Sequence, residues 1–371
     1  MSIQSIKFNR KDRPEFVREL RKRVNQYFKE NDISKYANWN MCVKTAFMIG
    51  LYFTPLILMI AGVVTNLWVI MLMWVIMGIG MSGIGLSVMH DANHGAYSRN
   101  KYVNKVLGFM SNFLGGYHVN WRIQHNVLHH SFTNVDGHDE DIDNAVMRLS
   151  PHQEHKPIHK LQIVYAPFFY GIMTIYWLIG KDFDGLIRYR KKDLLKAEGR
   201  TFRGALTEVI IHKLWYLGLT LFLPMMLLPI AWWQTLLGFL LMHFICGLFL
   251  ALIFQPAHVI EETEFLDADE KGSMENSWAI HQLRTTANFA NSSRAFSWFV
   301  GGLNYQIEHH LFPNICHVHY RKISKIVKET AQEFGLPYHQ HKTFYHAVRS
   351  HFRLLYQLGM GKYDEKILRL Q

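Results

Sequence analysis

No Lys, Arg, Asp or Glu occurs between Ala46 and Met89, or between Leu214 and Gln255. A charge at the centre of a membrane helix costs roughly 2.5–3.5 kcal/mol, so uncharged stretches this long are what lipid burial demands. Each stretch holds two apolar runs parted by a short turn. Ala46–Val64 and Leu67–Met89 flank Thr65-Asn66, and Leu214–Ile230 and Thr235–Phe254 flank Ala231-Trp-Trp-Gln234. Every run is close to the roughly 20 residues that a bilayer needs. The pattern predicts an all-α integral membrane protein with four transmembrane helices paired as two hairpins, plus a helical cytosolic cap. The paired Trp at the second turn fits an interfacial anchor. Pro55, Pro224 and Pro229 are tolerable in membrane helices.

All charges fall outside the hairpins. The basic stretch Lys7–Lys44 makes their side cytoplasmic by the positive-inside rule. The organisation expected is an amphipathic segment at 1–45 and one membrane domain at 46–371, its cap formed by 90–213 and 255–371. Within the first segment, Phe16, Leu20, Val24 and Tyr27/Phe28 recur at helical spacing behind Pro14. Leu161–Gly180 reads as an interfacial or half-buried helix, with a fifth span as the alternative. Lys181–Lys213 reads as a surface helix and Arg321–Gln371 as a helical tail. Met1 is followed by no early apolar stretch, so insertion is expected to use the internal spans. Three scattered cysteines, Cys42, Cys246 and Cys316, form no CxxC pair and argue against a disulfide framework and a zinc ribbon. A net charge of +11 fits nucleic acid or an anionic membrane surface. The apolar runs favour the membrane, and no nucleic-acid partner is expected.

Four histidine clusters lie at the ends of these runs: His90-Asp-Ala-Asn-His94, His125-Asn-Val-Leu-His129-His130, Gln306-Ile-Glu-His309-His310, and the single His258 in Phe254-Gln-Pro-Ala-His258. Imidazole is a ligand for iron, zinc, copper and nickel. Residues four apart on an α-helix share a face about 6 Å apart along the axis. His90 with His94, and His125 with His129, can therefore each serve one metal or bridge two; the bland reading is polar residues at a helix end. His130 is rotated about 100° from His129 on an α-helix, which turns it from the same coordination position, so the His-x3-His-His run suits two neighbouring metals. Gln306 stands one turn before His309 and His310, as an oxygen ligand, a partner of a metal water, or a neighbour of the ligands; the last two are preferred. His258 alone would be an interfacial histidine, but beside three clusters it joins the ligands. Asp139 and Asp141, in an acidic run, are expected to hydrogen-bond to ligand imidazoles, and Asn93 is a further neighbour of the site. His118, His138, His281, His317 and His319 are supporting or surface groups. His243, inside the fourth run, needs a packing partner or lines a cavity. Two zincs would give hydrolysis and two irons oxygen chemistry; spacing leaves both open.

The His-x3-His, His-x3-His-His and Gln-x2-His-His boxes around two hairpins resemble the membrane fatty acid desaturase family. So do Asn120-Trp-Arg-Ile-Gln-His-Asn126, Phe254-Gln-Pro-Ala-His-Val259 and Gly301-Gly-Leu-Asn-Tyr-Gln-Ile-Glu-His-His-Leu-Phe-Pro313. The likeness runs from Leu67 to Tyr320. The Gln-first third box is similar to that of front-end desaturases and bacterial linoleoyl-CoA desaturases. The resemblance implies two iron ions held by His90, His94, His125, His129, His130, His258, His309 and His310. It also implies O2 as co-substrate, two external electrons, and a new cis double bond in an acyl chain carried as a CoA thioester or phospholipid. Two departures matter. Stearoyl-CoA-type members have His where this chain has Gln306. Many eukaryotic front-end members also carry a His-Pro-Gly-Gly haem motif, which this sequence lacks. Electrons are thus expected from a separate ferredoxin or cytochrome b5 with its reductase, and the basic face could dock such a donor, CoA phosphates or lipid headgroups. A bacterial plasma membrane is the expected location, with the site on the cytoplasmic side. An acyl-chain hydroxylase with the same boxes is the close alternative; a membrane metal or haem-binding electron carrier is the distant one.

Overall fold

A computed structural model describes residues 6–143 and 146–363. The last residues of the expected tail, 364–371, lie outside the described residues. The chain divides into two compact units: one from Met1–Ala37, Gln124–Ala166 and Leu252–Gln371, the other from Asn38–Ile123 and Pro167–Ala251. Both draw on the stretch read from the sequence as one membrane domain.

The second unit is built on long apolar helices. Helix α1 (Pro14–Glu30) precedes it in the chain. Helices α2 (Trp39–Ile60) and α3 (Leu67–Asn93) then form the first hairpin. Each starts on an asparagine cap: Asn38 Oδ1 accepts from Met41 N at 3.2 Å, and Asn66 Oδ1 from Trp68 N at 3.0 Å. The hairpin is tight because α3 presents glycine to α2. A Cβ on Gly80 would sit 2.6 Å from Tyr52 N, so no larger residue allows this approach.

Next come α4 (residues 118–132), α5 (Pro157–Lys191), α6 (Phe202–Leu227) and α7 (Trp232–His258). Among the described residues, five helices are long and apolar enough to cross a membrane; the fifth is α5, 35 residues long, over the stretch read from the sequence as a half-buried helix with a span as the alternative. The charges after Gly180 do not end it, because a π-helical turn at Trp177–Lys181 carries the helix on to Lys191. The expected surface helix at 181–213 is instead split between the end of α5 and the start of α6. α6 begins at Phe202, with Thr201 Oγ1 accepting from Gly204 N at 3.1 Å. Its buried Lys213 is satisfied by Gly115 O at 2.5 Å, Trp177 O at 2.8 Å and the Asp182 carboxylate. A hydropathy pattern cannot see a helix start whose charges find partners only in three dimensions.

The first unit is helical with two short parallel ladders, a departure from an all-helical chain. β1 (Lys7–Phe8) pairs with β2 (Ser273–Met274), and β3 (Ala287–Phe289) with β4 (His339–His341). Its further helices include α8 (Trp278–Thr285), α9 (Gln306–Leu311), α10 (Tyr320–Glu333) and α11 (Phe344–Gly359). Phe16, Leu20 and Val24 of α1 are buried with Ile323, Val327 and Ala331 of α10, the face that the helical spacing marked. Arg23 ties the pair at its edge, 2.7 Å from Glu333.

Candidate metal centre

Six of the eight sequence-predicted imidazoles belong to the first unit, and there they converge. The ring nitrogens of His129, His258 and His310 lie within 4.8 Å of one another, as do those of His130, His309 and His310. His125 joins them with its ring 5.7 Å from that of His309. All six are buried.

Helix α4 brings them together in a way that α-helical spacing does not foresee. Residues Ile123–His129 are π-helical. A π turn bonds i to i+5, so residues five apart share a face. His125 Nε2 accordingly meets His130 Nε2 at 3.3 Å, and His130 Nε2 meets His309 Nε2 at 2.9 Å. His129 and His130 fall in different groups, as the rotation between neighbours expects; what α-helical spacing does not foresee is that His125 meets His130.

In three of these rings, His129, His258 and His310, the other nitrogen is held by a group that settles the tautomer. His129 Nδ1–H donates to the Asp139 carboxylate at 3.0 Å. His258 Nδ1–H donates to Thr285 O at 3.2 Å. His310 Nδ1–H donates to Gln282 Oε1 at 2.7 Å, an oxygen that also accepts from the Thr133 hydroxyl at 2.9 Å. Acceptors at Nδ1 leave the Nε2 lone pairs for a cation. Among the described residues, Nε2 of His129 and Nε2 of His258 are buried and have no hydrogen-bond partner. Each such orphan costs about 1–3 kcal/mol; a metal ion removes that cost. The all-nitrogen donor set, its tautomers and its buried lone pairs fit the implied metal pair.

Electrostatics support the same arrangement. Burial alone would raise the Asp139 carboxyl. His129 and the backbone N–H groups of Asn134 and Asp141 outweigh it and hold the carboxyl below its ordinary range. Asp141 is 3.5 Å from His129 Nδ1 and accepts from Gln124 Nε2. Gln306 is fully buried, and both of its amide atoms lack a hydrogen-bond partner among the described residues.

In the second unit, His90 and His94 pair with ring centroids 4.8 Å apart, each edge-on to Trp121. They follow a π-helical turn at Ile84–Val88. Asn93 serves the backbone instead, donating to Gly108 O at 3.1 Å. His243 is a buried cross-link between helices: Nε2 meets Tyr216 OH at 2.8 Å and Nδ1 meets Thr174 Oγ1 at 2.9 Å. Of the lesser histidines, His281 donates to Thr133 O at 2.8 Å, and burial pushes its pKa down to about 4. His319 donates to Tyr36 O at 3.0 Å. His118 meets Asn112 Nδ2 at 3.1 Å, and His138 meets Asp136 O at 3.3 Å.

Sequence reasoning missed Gln282, Thr133, Thr285 and Tyr320, whose hydroxyl meets His309 Nδ1 at 3.2 Å. No spacing rule marks them. A residue that supports a ligand from another segment leaves no local pattern.

A sequence model of fatty acid desaturases matches residues 66–342, which contain every histidine cluster. The chain is similar to a Synechocystis protein named sn-1 linoleoyl-lipid 6-desaturase, with 37% identity over 97% of this chain and 99% of that one. It is also similar to an Arthrospira platensis protein of the same name, with 34% identity over 96% and 95%. An acyl-lipid (8-3)-desaturase of Physcomitrium patens shares 33% identity over 94% of this chain and 72% of its own length. The buried histidine clusters, the long apolar helices and this full-length similarity lead to one conclusion: the chain belongs to the fatty acid desaturase family, and is a membrane oxidoreductase that uses O2 to introduce double bonds into acyl chains.

Proposed function

We propose that this desaturase acts on acyl groups esterified in membrane lipid and forms a cis double bond at a di-iron centre. The proposed ligands are His90, His94, His125, His129, His130, His258, His309 and His310. The metal identity and the place of His90 and His94 in the set rest on the family pattern of the boxes. The lipid substrate is favoured over a CoA thioester by the names of the similar proteins, which act on linoleoyl-lipid or acyl-lipid. The observation that carries the centre is the pair of buried, partnerless Nε2 atoms on His129 and His258, each with its tautomer set from behind.

When bound, the iron pair supplies the O2-derived oxidising power that side chains lack and that an unactivated methylene demands. The chain's own work is positional. Asp139, Thr285 O and Gln282 hold the Nδ1 protons of His129, His258 and His310 and keep those rings aimed. Burial keeps bulk water from the reacting atoms. Gln306, fully buried beside His258, supports the ligands or a metal-bound water rather than acting as a direct ligand. Two electrons per turnover come from a separate ferredoxin, or from cytochrome b5 with its reductase. The basic Lys7–Lys44 stretch favours a cytoplasmic active site, in the plasma membrane of a bacterium.

Expression with a ferredoxin and its reductase, then fatty acid profiling with double-bond localisation, tests the proposal. The expected result is a new cis double bond in extracted glycerolipid, dependent on O2, with about two irons per purified chain. His129→Ala should abolish product while leaving membrane insertion intact. Hydroxy-acyl product would point to the hydroxylase alternative. An iron-loaded protein with a competent donor and no new double bond would overturn the reading.

A further inference from the structure

We propose that an acidic one-electron carrier protein docks on the basic surface at the start of α10. The proposal deepens, and rests on, the metal-centre reading. The early turns of α10 carry Arg321, Lys322 and Lys325, all exposed. The end of α1 and the segment after it pack against this same place. Phe28 meets the His319 ring edge-on at 5.2 Å, and Cys316 N donates to Lys35 O at 2.9 Å. Lys29 and Lys35 therefore add to the patch, with Glu30 and Asp32 as the carboxylates of that segment. Five cations stand against two acids.

Local physics works against this arrangement. A helix N-terminus carries about half a positive charge, and a cation in the first turn costs about 0.3–1 kcal/mol. The first turn of α10 holds no acidic residue. Arg321, Lys322 and Lys325 form no ion pair among the described residues. Cations that crowd the start of a helix and form no ion pair among the described residues point to an anionic partner outside the chain.

What selects an electron carrier is where the patch leads. Tyr320, the residue before Arg321, is 1% exposed. Its hydroxyl meets His309 Nδ1 at 3.2 Å, and His309 is in the proposed ligand set. One peptide bond and one hydrogen bond thus join the patch to a metal ligand. A lipid surface would make no use of that connection. The balance also demands a carrier. Removing two hydrogens from the acyl chain while O2 becomes two waters consumes two further electrons and two protons. The carrier's reduced centre loses one electron at each docking, two dockings serve one turnover, and solvent supplies the protons; a metal held by these histidines would take up the electrons.

The test uses the full-length, iron-loaded protein in detergent and an acidic [2Fe–2S] ferredoxin as probe. Native binding should weaken at least tenfold as salt shortens the Debye length from about 30 to about 8 Å. R321E/K325E should raise Kd at least about tenfold and slow oxidation of reduced ferredoxin at low concentration. K342E/R349E makes the same charge change at exposed positions elsewhere and should shift Kd less than about threefold. Circular dichroism and size exclusion check that both variants fold. R321E/K325E binding ferredoxin as tightly as native would overturn the proposal, as would equal weakening by both variants. So would R321E/K325E losing affinity for phosphatidylglycerol vesicles while keeping ferredoxin, which would make the patch a lipid-binding surface. Product formation by the native protein with a chemically reduced viologen tests the metal-centre reading separately, because it needs no docking.

Discussion

At the residue scale, the groups behind the histidines set what the histidines can do. Gln282 is the sharpest case. Its oxygen accepts from both His310 Nδ1 and Thr133, while its nitrogen donates to His130 O at 3.3 Å. One amide thereby orders two segments of the centre. Q282L keeps most of the volume and removes all three bonds. We expect iron affinity to fall about 10–100-fold, the usual effect of losing a ligand's supporting partner, read as iron retained after a chelator challenge. Iron retention equal to native would remove Gln282 from its orienting role. Asp139 and Gln282 contrast in legibility. Asp139 sits in an acidic run ten residues after His129, close enough for sequence to raise it. Gln282 is 28 residues from His310, and nothing in its surroundings marks it.

At the element scale, the π-helical turn of α4 decides which rings meet. Val127 is 39% exposed, so removing it disturbs little packing. Deleting Val127 should convert the turn towards α geometry, rotate His125 away from His130, and abolish iron binding with helicity retained. V127A, which keeps the residue count, should bind iron as native does. A deletion variant that retains full iron would show that the turn does not matter. The last helix carries a pH-sensitive tie. His351 of α11 is fully buried and donates from Nδ1 to Val259 O at 2.7 Å. Burial lowers its pKa from 6.5 to about 4. A depressed histidine is neutral in both states above pH 6.5, so its contribution is complete there. As pH falls towards 4, the unfolded chain takes up the proton first and stability is lost. The loss approaches about 3 kcal/mol. Melting temperature in detergent should therefore fall between pH 6.5 and 4, and less steeply in H351N. Parallel slopes would rule out His351 as the cause.

At the scale of the whole molecule, compactness constrains topology. The stretches 1–37, 124–166 and 252–371 fold as one unit. Placed on one membrane face, that unit requires an even number of crossings between its pieces. α2 and α3 supply two in the first gap. The second gap involves three helices of sufficient length and apolarity, α5, α6 and α7, of which only two can cross. α6 and α7 contain the uncharged hairpin Leu214–Phe254, so α5 is expected to lie without crossing. Accessibility labelling of single cysteines introduced in 194–200 and at position 10 should find both on the same side; opposite sides would make α5 a span. By itself, the sequence determined that this chain enters a membrane, where its four histidine clusters lie, and to which family it belongs. Those properties are written in charge-free lengths and short spacings, which local order can record. Only the tertiary structure decided the π register that turns His130 onto His125, the tautomers set by Gln282, Asp139 and Thr285, and the partners that let Lys213 sit inside an apolar helix. Each depends on groups far apart in the chain meeting at hydrogen-bond distance, and hydrophobic pattern carries no information about which distant polar atom will be there.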